Sequence, residues 1–355
     1  MVLVIKTVHC YSEPFFLSVQ RGNMDSITQA ALGATVAGVV AGKQCNGKVL
    51  IAGALLGTLP DLDVLIDYGN DISNTVKHRG FSHSILILTP FSLILSWLIH
   101  QVKALTNWPL FKVWLLVFLC LITHPLLDTF TSYGTQLLWP IEGYFSLSSI
   151  FIIDPLYTLP LLIGVILTML VKVDARRVGV IALMVSSVYL GWGLVAKSTV
   201  EQRLMQNLQV TEIENKAVFV TPAPLNTLLW RVVVLDGAYF WQGWASVLDT
   251  SPHIELTRYN RGHWPMAKES PLLNDFLQFT QGFVVYEQIE NRLLVSDLRL
   301  GVAGNLAFRF QFANKNEATA DWQLQTPLRD EGFTIPDDMT PMINRVIGQR
   351  HPQYK

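Results

Sequence analysis

Apolar and polar positions divide the chain into two regimes. Up to about position 197, long apolar runs recur at 26–42, 49–66, 83–100, 111–127, 155–171 and 178–196, separated by short polar joints. Gly80–Val102 is a run of 23 residues with no acid, Lys or Arg, broken only by His83 and His100. That length suits a membrane helix, which needs about 20 apolar residues. Residues 49–60 reach only about 18 Å as a helix, short of a ~30 Å hydrocarbon core. With the Ala- and Gly-rich 26–42 they read as a tight helical hairpin, because small side chains let helices approach closely. Trp192 and Tyr189 suit an interfacial end of the last run.

Beyond Lys197 the pattern changes. Residues 198–210 read as a polar amphipathic helix leaving the membrane. The runs 217–221, 228–235, 239–248, 283–286, 292–298 and 306–312 are short and rich in β-branched and aromatic residues. Phe308-Arg309-Phe310-Gln311-Phe312 alternates strictly, as a half-buried strand does. Leu272–Phe279 reads as helix, and the last 25 residues as loops with one short helix. The expected architecture is a mainly α, membrane-embedded bundle of about four to six transmembrane or re-entrant helices, followed by a small soluble α+β domain on an antiparallel sheet. The expected division is a leader at 1–23, read as disordered or as an over-extended start before Met24, a helical domain at 24–200 and a soluble domain at 205–355.

Composition sharpens that division. The 355 residues are 50% hydrophobic and 15% charged, where soluble domains are usually about 25% charged. Residues 1–200 carry 12 Lys/Arg and 10 Asp/Glu, whereas 201–355 carry 14 and 17. A net charge of −1 gives no argument for nucleic-acid binding. Cys10, Cys45 and Cys120 are scattered, so they form neither a disulfide framework nor a zinc knuckle. Alternating sides along the apolar runs puts Lys43, Lys48, Lys103, Lys112, Lys172, Arg176 and Arg177 on one face. The Lys/Arg-rich face is the expected cytoplasmic one, in the inner or plasma membrane. The other face, with the C-terminal domain, is then non-cytoplasmic.

On that second face the ionisable groups gather. They are Asp61 and Asp63 after Pro60, His78 and His83 flanking Gly80, and His124 and Asp128 four apart on one helix face, with Asp154 near by. Ionisable groups near lipid are costly and mark function. Imidazole with carboxylate is a ligand set for a divalent metal. Asp61, Asp63, His78, His83, His124 and Asp128 are therefore the candidate ligands, with Asp61, Asp63 and His83 also candidates for the chemistry. At i,i+2, Asp61 and Asp63 would diverge on a helix, so an irregular backbone is needed for both to face one site. Arg79 could bind a phosphate or carboxylate through its planar fork. Ser82, Ser84 and Thr131 are candidates for orienting the imidazoles. Asp154 is either a ligand or the N-cap before Pro155.

These motifs resemble the YdjM-type family of membrane-bound, predicted metal-dependent hydrolases. The resemblance rests on Met24-Asp25-Ser26-Ile27-Thr28-Gln29, Pro60-Asp61-Leu62-Asp63, His78-Arg79-Gly80-Phe81-Ser82-His83-Ser84, His124-Pro125-Leu126-Leu127-Asp128 and Tyr133-Gly134-Thr135-Gln136-Leu137-Leu138-Trp139-Pro140. That family looks distantly similar to zinc-dependent phospholipases C and single-strand nucleases. The likeness implies a divalent metal, zinc, and a phosphoester or a membrane lipid or other amphiphile as substrate. Gln29 stands where many relatives carry His, and glutamine is a poorer zinc ligand. The expected function is a membrane-bound hydrolase working by metal-activated water. The alternatives are a non-catalytic anchor displaying the soluble domain, with Tyr239-Phe240-Trp241 and Trp244 as a binding face, or a metal or ion transporter.

Overall fold

The computed structural model describes residues 26–102, 108–171, 173–210, 217–264, 270–316, 321–330 and 340–346. The leader reading of 1–23 and the first two residues of the Met24–Gln29 motif lie outside them.

The helical half opens with α1 (Ser26–Ala41) and α2 (Gly47–Thr58), the expected hairpin. Asn46 caps α2 by accepting from the Lys48 and Val49 backbone amides. The two helices touch backbone to backbone. A Cβ built on Gly33 would lie 2.2 Å from the Gly53 carbonyl oxygen, and one on Gly57 2.6 Å from that of Gln29. This approach carries Gln29 and the Gly57 carbonyl into the middle of the bundle.

A 3₁₀ turn (Leu59–Leu65), α3 (Asp71–Lys77) and a second 3₁₀ turn (Phe81–His83) follow. Ser84 then caps α4 (Ile85–His100). Next come α5 (Leu110–Asp128), α6 (Pro155–Leu170) and α7 (Ala175–Val210). Among the described residues, α5 and the stretch Ala175–Gln209 of α7 are long and apolar enough to cross a membrane. The bent pair Asp71–His83 and Ile85–His100, angled at 54°, is a third candidate if counted as one span. The apolar run 178–196 and the polar stretch 198–210, read as a helix leaving the membrane, are one unbroken helix to Val210. Lys197 and Glu201 sit one turn apart, Nζ to carboxylate 3.5 Å, so the first charges lie on a continuing helix.

The C-terminal half is rich in β-sheet. β1 (Ala217–Pro222), β2 (Leu229–Asp236), β3 (Tyr239–Ser246) and β4 (Leu256–Asn260) form one antiparallel sheet in that order. β5 (Val284–Ile289), β6 (Arg292–Asp297), β9 (Arg309–Lys315) and β10 (Trp322–Arg329) form a second, in the order β10-β9-β6-β5. β7 (Gly301–Val302) and β8 (Asn305–Leu306) make a two-stranded ladder. Period-two alternation buries both faces of β2. Trp230, Val232 and Val234 pack on Ala196, Val200, Leu204 and Leu208, the i,i+4 stripe at the end of α7. Val233 and Leu235 face the other way, onto Phe283 and Val285.

The second sheet closes on the helical half. Its core of Val295, Phe310 and Phe312 with Phe276 and Phe279 of α8 (Pro271–Phe279) also takes in Ile72 and Tyr133. The Arg329 backbone amide donates to Asp71 Oδ2 at 2.7 Å, and the Ser132 and Thr221 hydroxyls lie 2.6 Å apart. The β domain therefore sits at the Asp128 end of α5. At the opposite end, Lys112 Nζ donates to the Ala41 carbonyl at 3.0 Å and Arg176 Nε to that of Val39 at 3.2 Å.

Candidate metal centre

Four side chains from three separate segments meet where α5 ends. Asp61 comes from the first 3₁₀ turn, His83 from the second, and His124 and Asp128 from the last turns of α5. One ligand atom from each falls within 4.8 Å of all the others. The two Nε2 atoms of His83 and His124 are 3.1 Å apart. His83 Nε2 lies 3.3 Å from Asp61 Oδ1 and 3.2 Å from Asp128 Oδ2. His124 Nε2 lies 3.2 Å and 3.4 Å from the same two atoms. Helix α5 runs through Pro125, so the i,i+4 spacing holds and both α5 ligands face one point.

The surroundings fix which imidazole nitrogens carry hydrogen. His124 Nδ1 lies 2.6 Å from the Gly57 carbonyl, which can only accept. Ser82 Oγ lies 2.7 Å from Asp63 Oδ2 and 2.9 Å from His83 Nδ1. A carboxylate only accepts, so the hydroxyl donates to Asp63 and takes the His83 Nδ1 hydrogen. In neutral rings both Nε2 atoms are then bare lone pairs. Two lone pairs and two carboxylate oxygens converge, and neither Asp61 oxygen nor Asp128 Oδ2 has a hydrogen-bond partner. Four acceptors at this spacing repel unless a cation lies among them. Bonds of ~2.0–2.1 Å to a tetrahedral ion set donor atoms about 3.3 Å apart. The five measured edges match that spacing, so the residues present fit a metal.

Further polar groups hold the quartet in place. Asp128 Oδ1 receives Gln29 Nε2 at 3.0 Å and Arg79 Nη2 at 3.2 Å, leaving only Oδ2 turned inward. Gln29 thus stands one step behind the ligands. Arg79 is 1% exposed. Its fork also reaches Thr131 Oγ1 at 3.2 Å, and its guanidinium lies 5.1 Å from the centre of the Tyr133 ring. Asp63 and His78 pair with each other, Oδ1 to Nδ1 at 2.8 Å, beside the quartet. The 3₁₀ backbone sends Asp61 inward and Asp63 toward His78, Ser82 and the Arg79 amide. Burial opposes ionisation of Asp63, but the His78 hydrogen bond and charge outweigh it and hold the carboxyl below its usual range. Arg79 adopts φ 62°, which turns its amide to Asp63 and its side chain to Asp128.

Ser84 caps α4 and donates to the Trp139 carbonyl, so it orients backbone and not imidazole. Asp154 is the N-cap of α6, accepting from the Leu156 amide and from the Tyr189 hydroxyl. The Gly57 carbonyl escaped the sequence reading because a backbone oxygen leaves no residue signature.

Residues 24–200 match the family model described as YdjM inner membrane protein. Through its helical half, the chain belongs to this family. Inner membrane protein YbcI of Escherichia coli (strain K12) is 32% identical over 120 residues, covering 32% of this chain and 66% of that protein. The Bacillus subtilis (strain 168) protein described as uncharacterized protein YfhP is 22% identical over 271 residues, 72% of this chain and 80% of that protein. A match of that extent runs past the family segment, so the likeness to YfhP reaches into the β domain. No solved structure matches. The family and the apolar helices establish a membrane protein.

Proposed function

We propose that this is a membrane-bound, metal-dependent hydrolase acting on a phosphoester or lipid-like substrate at the bilayer surface. The observation that carries the reading is the convergence of four hydrogen-bond acceptors, three of them fully buried side chains, on one point. Asp61, His83, His124 and Asp128 hold the ion. Two imidazoles and two carboxylates suit zinc. A divalent ion in such a setting lowers the pKa of water and polarises a phosphoryl or carbonyl oxygen.

The remaining residues orient and neutralise. Ser82 and the Gly57 carbonyl hold the two rings with Nε2 inward. Gln29 and Arg79 bind one oxygen of Asp128. In this reading Arg79 offsets ligand charge, since its fork is already engaged. Asp61 is the most exposed of the four, at 13% of its side chain, and is the ligand nearest the surface. The Asp63–His78 pair braces the turn that presents His83.

The topology that goes with this reading embeds the 26–58 hairpin and α6 beside the longer helices, for four to six apolar segments in all. Lys43, Lys112, Arg176 and Arg177 mark the cytoplasmic end. The site and the β domain then face away from the cytoplasm.

The test is a panel of phosphodiester, phospholipid and ester substrates offered to the protein in detergent with zinc or manganese. We expect turnover of one class, abolished in Asp61→Asn and His83→Ala variants that still fold. Equal turnover by wild type and both variants would refute the proposal.

A further inference from the structure

On its Asp61 side the quartet is bordered by apolar surface. Asp61 is its only member that is more than slightly exposed, and the residues beside Asp61 are hydrophobic and open. Leu62 is 53% and Leu65 79% exposed, with Val64 and Ile66 also exposed. These residues belong to a 3₁₀ turn and its C-cap, not to a spanning helix, so the bilayer-crossing faces do not account for them. The turn packs against the Phe81–His83 turn. There the exposed Phe81 meets the exposed Trp139 edge to face, ring centres 6.3 Å apart. Leu138 and Ile141, either side of Trp139 in sequence, are exposed as well. The apolar character stops abruptly in sequence on both sides, at Asp67 and at Glu142.

Depth says what covers this surface. Helix α5 has 19 residues, so at 1.5 Å each it spans about 28 Å, close to the hydrocarbon thickness. Its basic end, with Lys112, lies at one boundary, and Asp128 lies at the other. The turn bearing Asp61 packs on this Asp128 end, so Leu62 and Leu65 lie at the level where acyl chains meet headgroups. Trp139 is of the kind that settles at that level. Exposed apolar side chains at this depth suit contact with lipid.

We propose that the quartet opens sideways, into the lipid leaflet, past Leu62, Leu65, Phe81 and Trp139. The substrate is then an amphiphile already in the bilayer. Its hydrocarbon lies on these four side chains while its polar group reaches Asp61. The substrate part rests on the hydrolase reading; the contact with lipid does not.

Photolabelling tests it. The full chain is placed in phosphatidylcholine–phosphatidylglycerol vesicles containing a phospholipid with a diazirine near the top of one acyl chain. After irradiation, adducts are mapped by mass spectrometry. Adducts on 62–66 and on Phe81 or Trp139 are expected. Labelling of exposed Ile181 and Val188 on α7 shows that the probe works. Labelled α7 with unlabelled 62–66 overturns the proposal, as do chain-to-chain crosslinks through 62–66, which would mean a second copy covers the surface. Metal content measured on the same preparation keeps the two ideas apart. A His83→Ala chain that loses metal yet keeps the adducts supports lateral access while testing the metal reading separately. A Leu62→Asp/Leu65→Asp chain should keep its metal and lose at least about tenfold in labelling at Phe81 and Trp139. Undiminished labelling there would count against the route.

Discussion

Replacing Ser82 by Ala removes one hydroxyl and should weaken metal binding without unfolding the protein. Ser82 Oγ stands between Asp63 Oδ2 at 2.7 Å and His83 Nδ1 at 2.9 Å. In the metal-free variant, His83 can move its hydrogen to Nε2 and donate to Asp61 or Asp128. Metal binding forbids that tautomer, because Nε2 must then offer its lone pair. The Nδ1 hydrogen would be left buried without an acceptor, at a cost of about 1–3 kcal/mol. The whole cost falls on the bound state, so affinity should drop roughly 10- to 100-fold, the range typical for lost outer partners of metal-bound histidine. Ser82→Thr keeps the hydroxyl and should restore most of it. Competition against a zinc chelator in detergent gives the affinities, and a melt in excess chelator gives the metal-free stability. Equal affinity for Ser82→Ala and wild type, within about threefold, would refute the tautomer argument.

Other expectations follow from the same contacts. Gly53→Val should disrupt the α1–α2 hairpin, because even a Cβ at Gly53 would meet the Ala37 Cβ at 2.4 Å and the Gly33 carbonyl at 2.5 Å. Overpacking of this kind costs about 1–3 kcal/mol or more, readable as a lower melting temperature together with weaker metal binding, since the Gly57 carbonyl moves. Tyr133→Phe should cost about 1 kcal/mol, through the hydroxyl donated to the Thr75 carbonyl. Tyr133→Ala should cost about 3–5 kcal/mol, through the ring contacts with Arg79 and Phe279; denaturant melts of the two variants check both. Metal should be held at neutral pH and released in acid, because ligand imidazoles must be unprotonated. Release measured with a metal indicator should reverse on returning to neutral pH, and retention at pH 4.5 would contradict histidine ligation.

How much of this was legible beforehand depends on what each feature leaves in the sequence. The strands of the two sheet cores announced themselves, since Phe308-Arg309-Phe310-Gln311-Phe312 alternates as β9 requires. β4 and β10 did not. Both are largely exposed; Leu256–Asn260 carries too few apolar residues to show a period, and Pro327 interrupts the alternation of Trp322–Arg329. The helix at 198–210 is legible too; that it continues the apolar run without a break across Lys197 is not, because a change from apolar to polar composition looks the same whether or not the helix is interrupted. Histidines and aspartates at helix ends were visible as a group. The difference between Asp61, in the quartet, and Asp63, paired with His78, was not, because it depends on how a single 3₁₀ turn rotates successive side chains. Gln29 reads in sequence as a missing ligand. The close hairpin is legible in its small residues, but which side chain it carries to Asp128 is not, because that depends on how α1 is rotated against α5.

The central claim is that Asp61, His83, His124 and Asp128 hold a cation. Elemental analysis of the purified protein in detergent, after dialysis against trace zinc, tests it most directly. About one ion per chain is expected in wild type, and much less in a His124→Ala variant that keeps its melting transition. A wild-type chain that melts cooperatively and carries no ion, or a variant that carries as much as wild type, would contradict it.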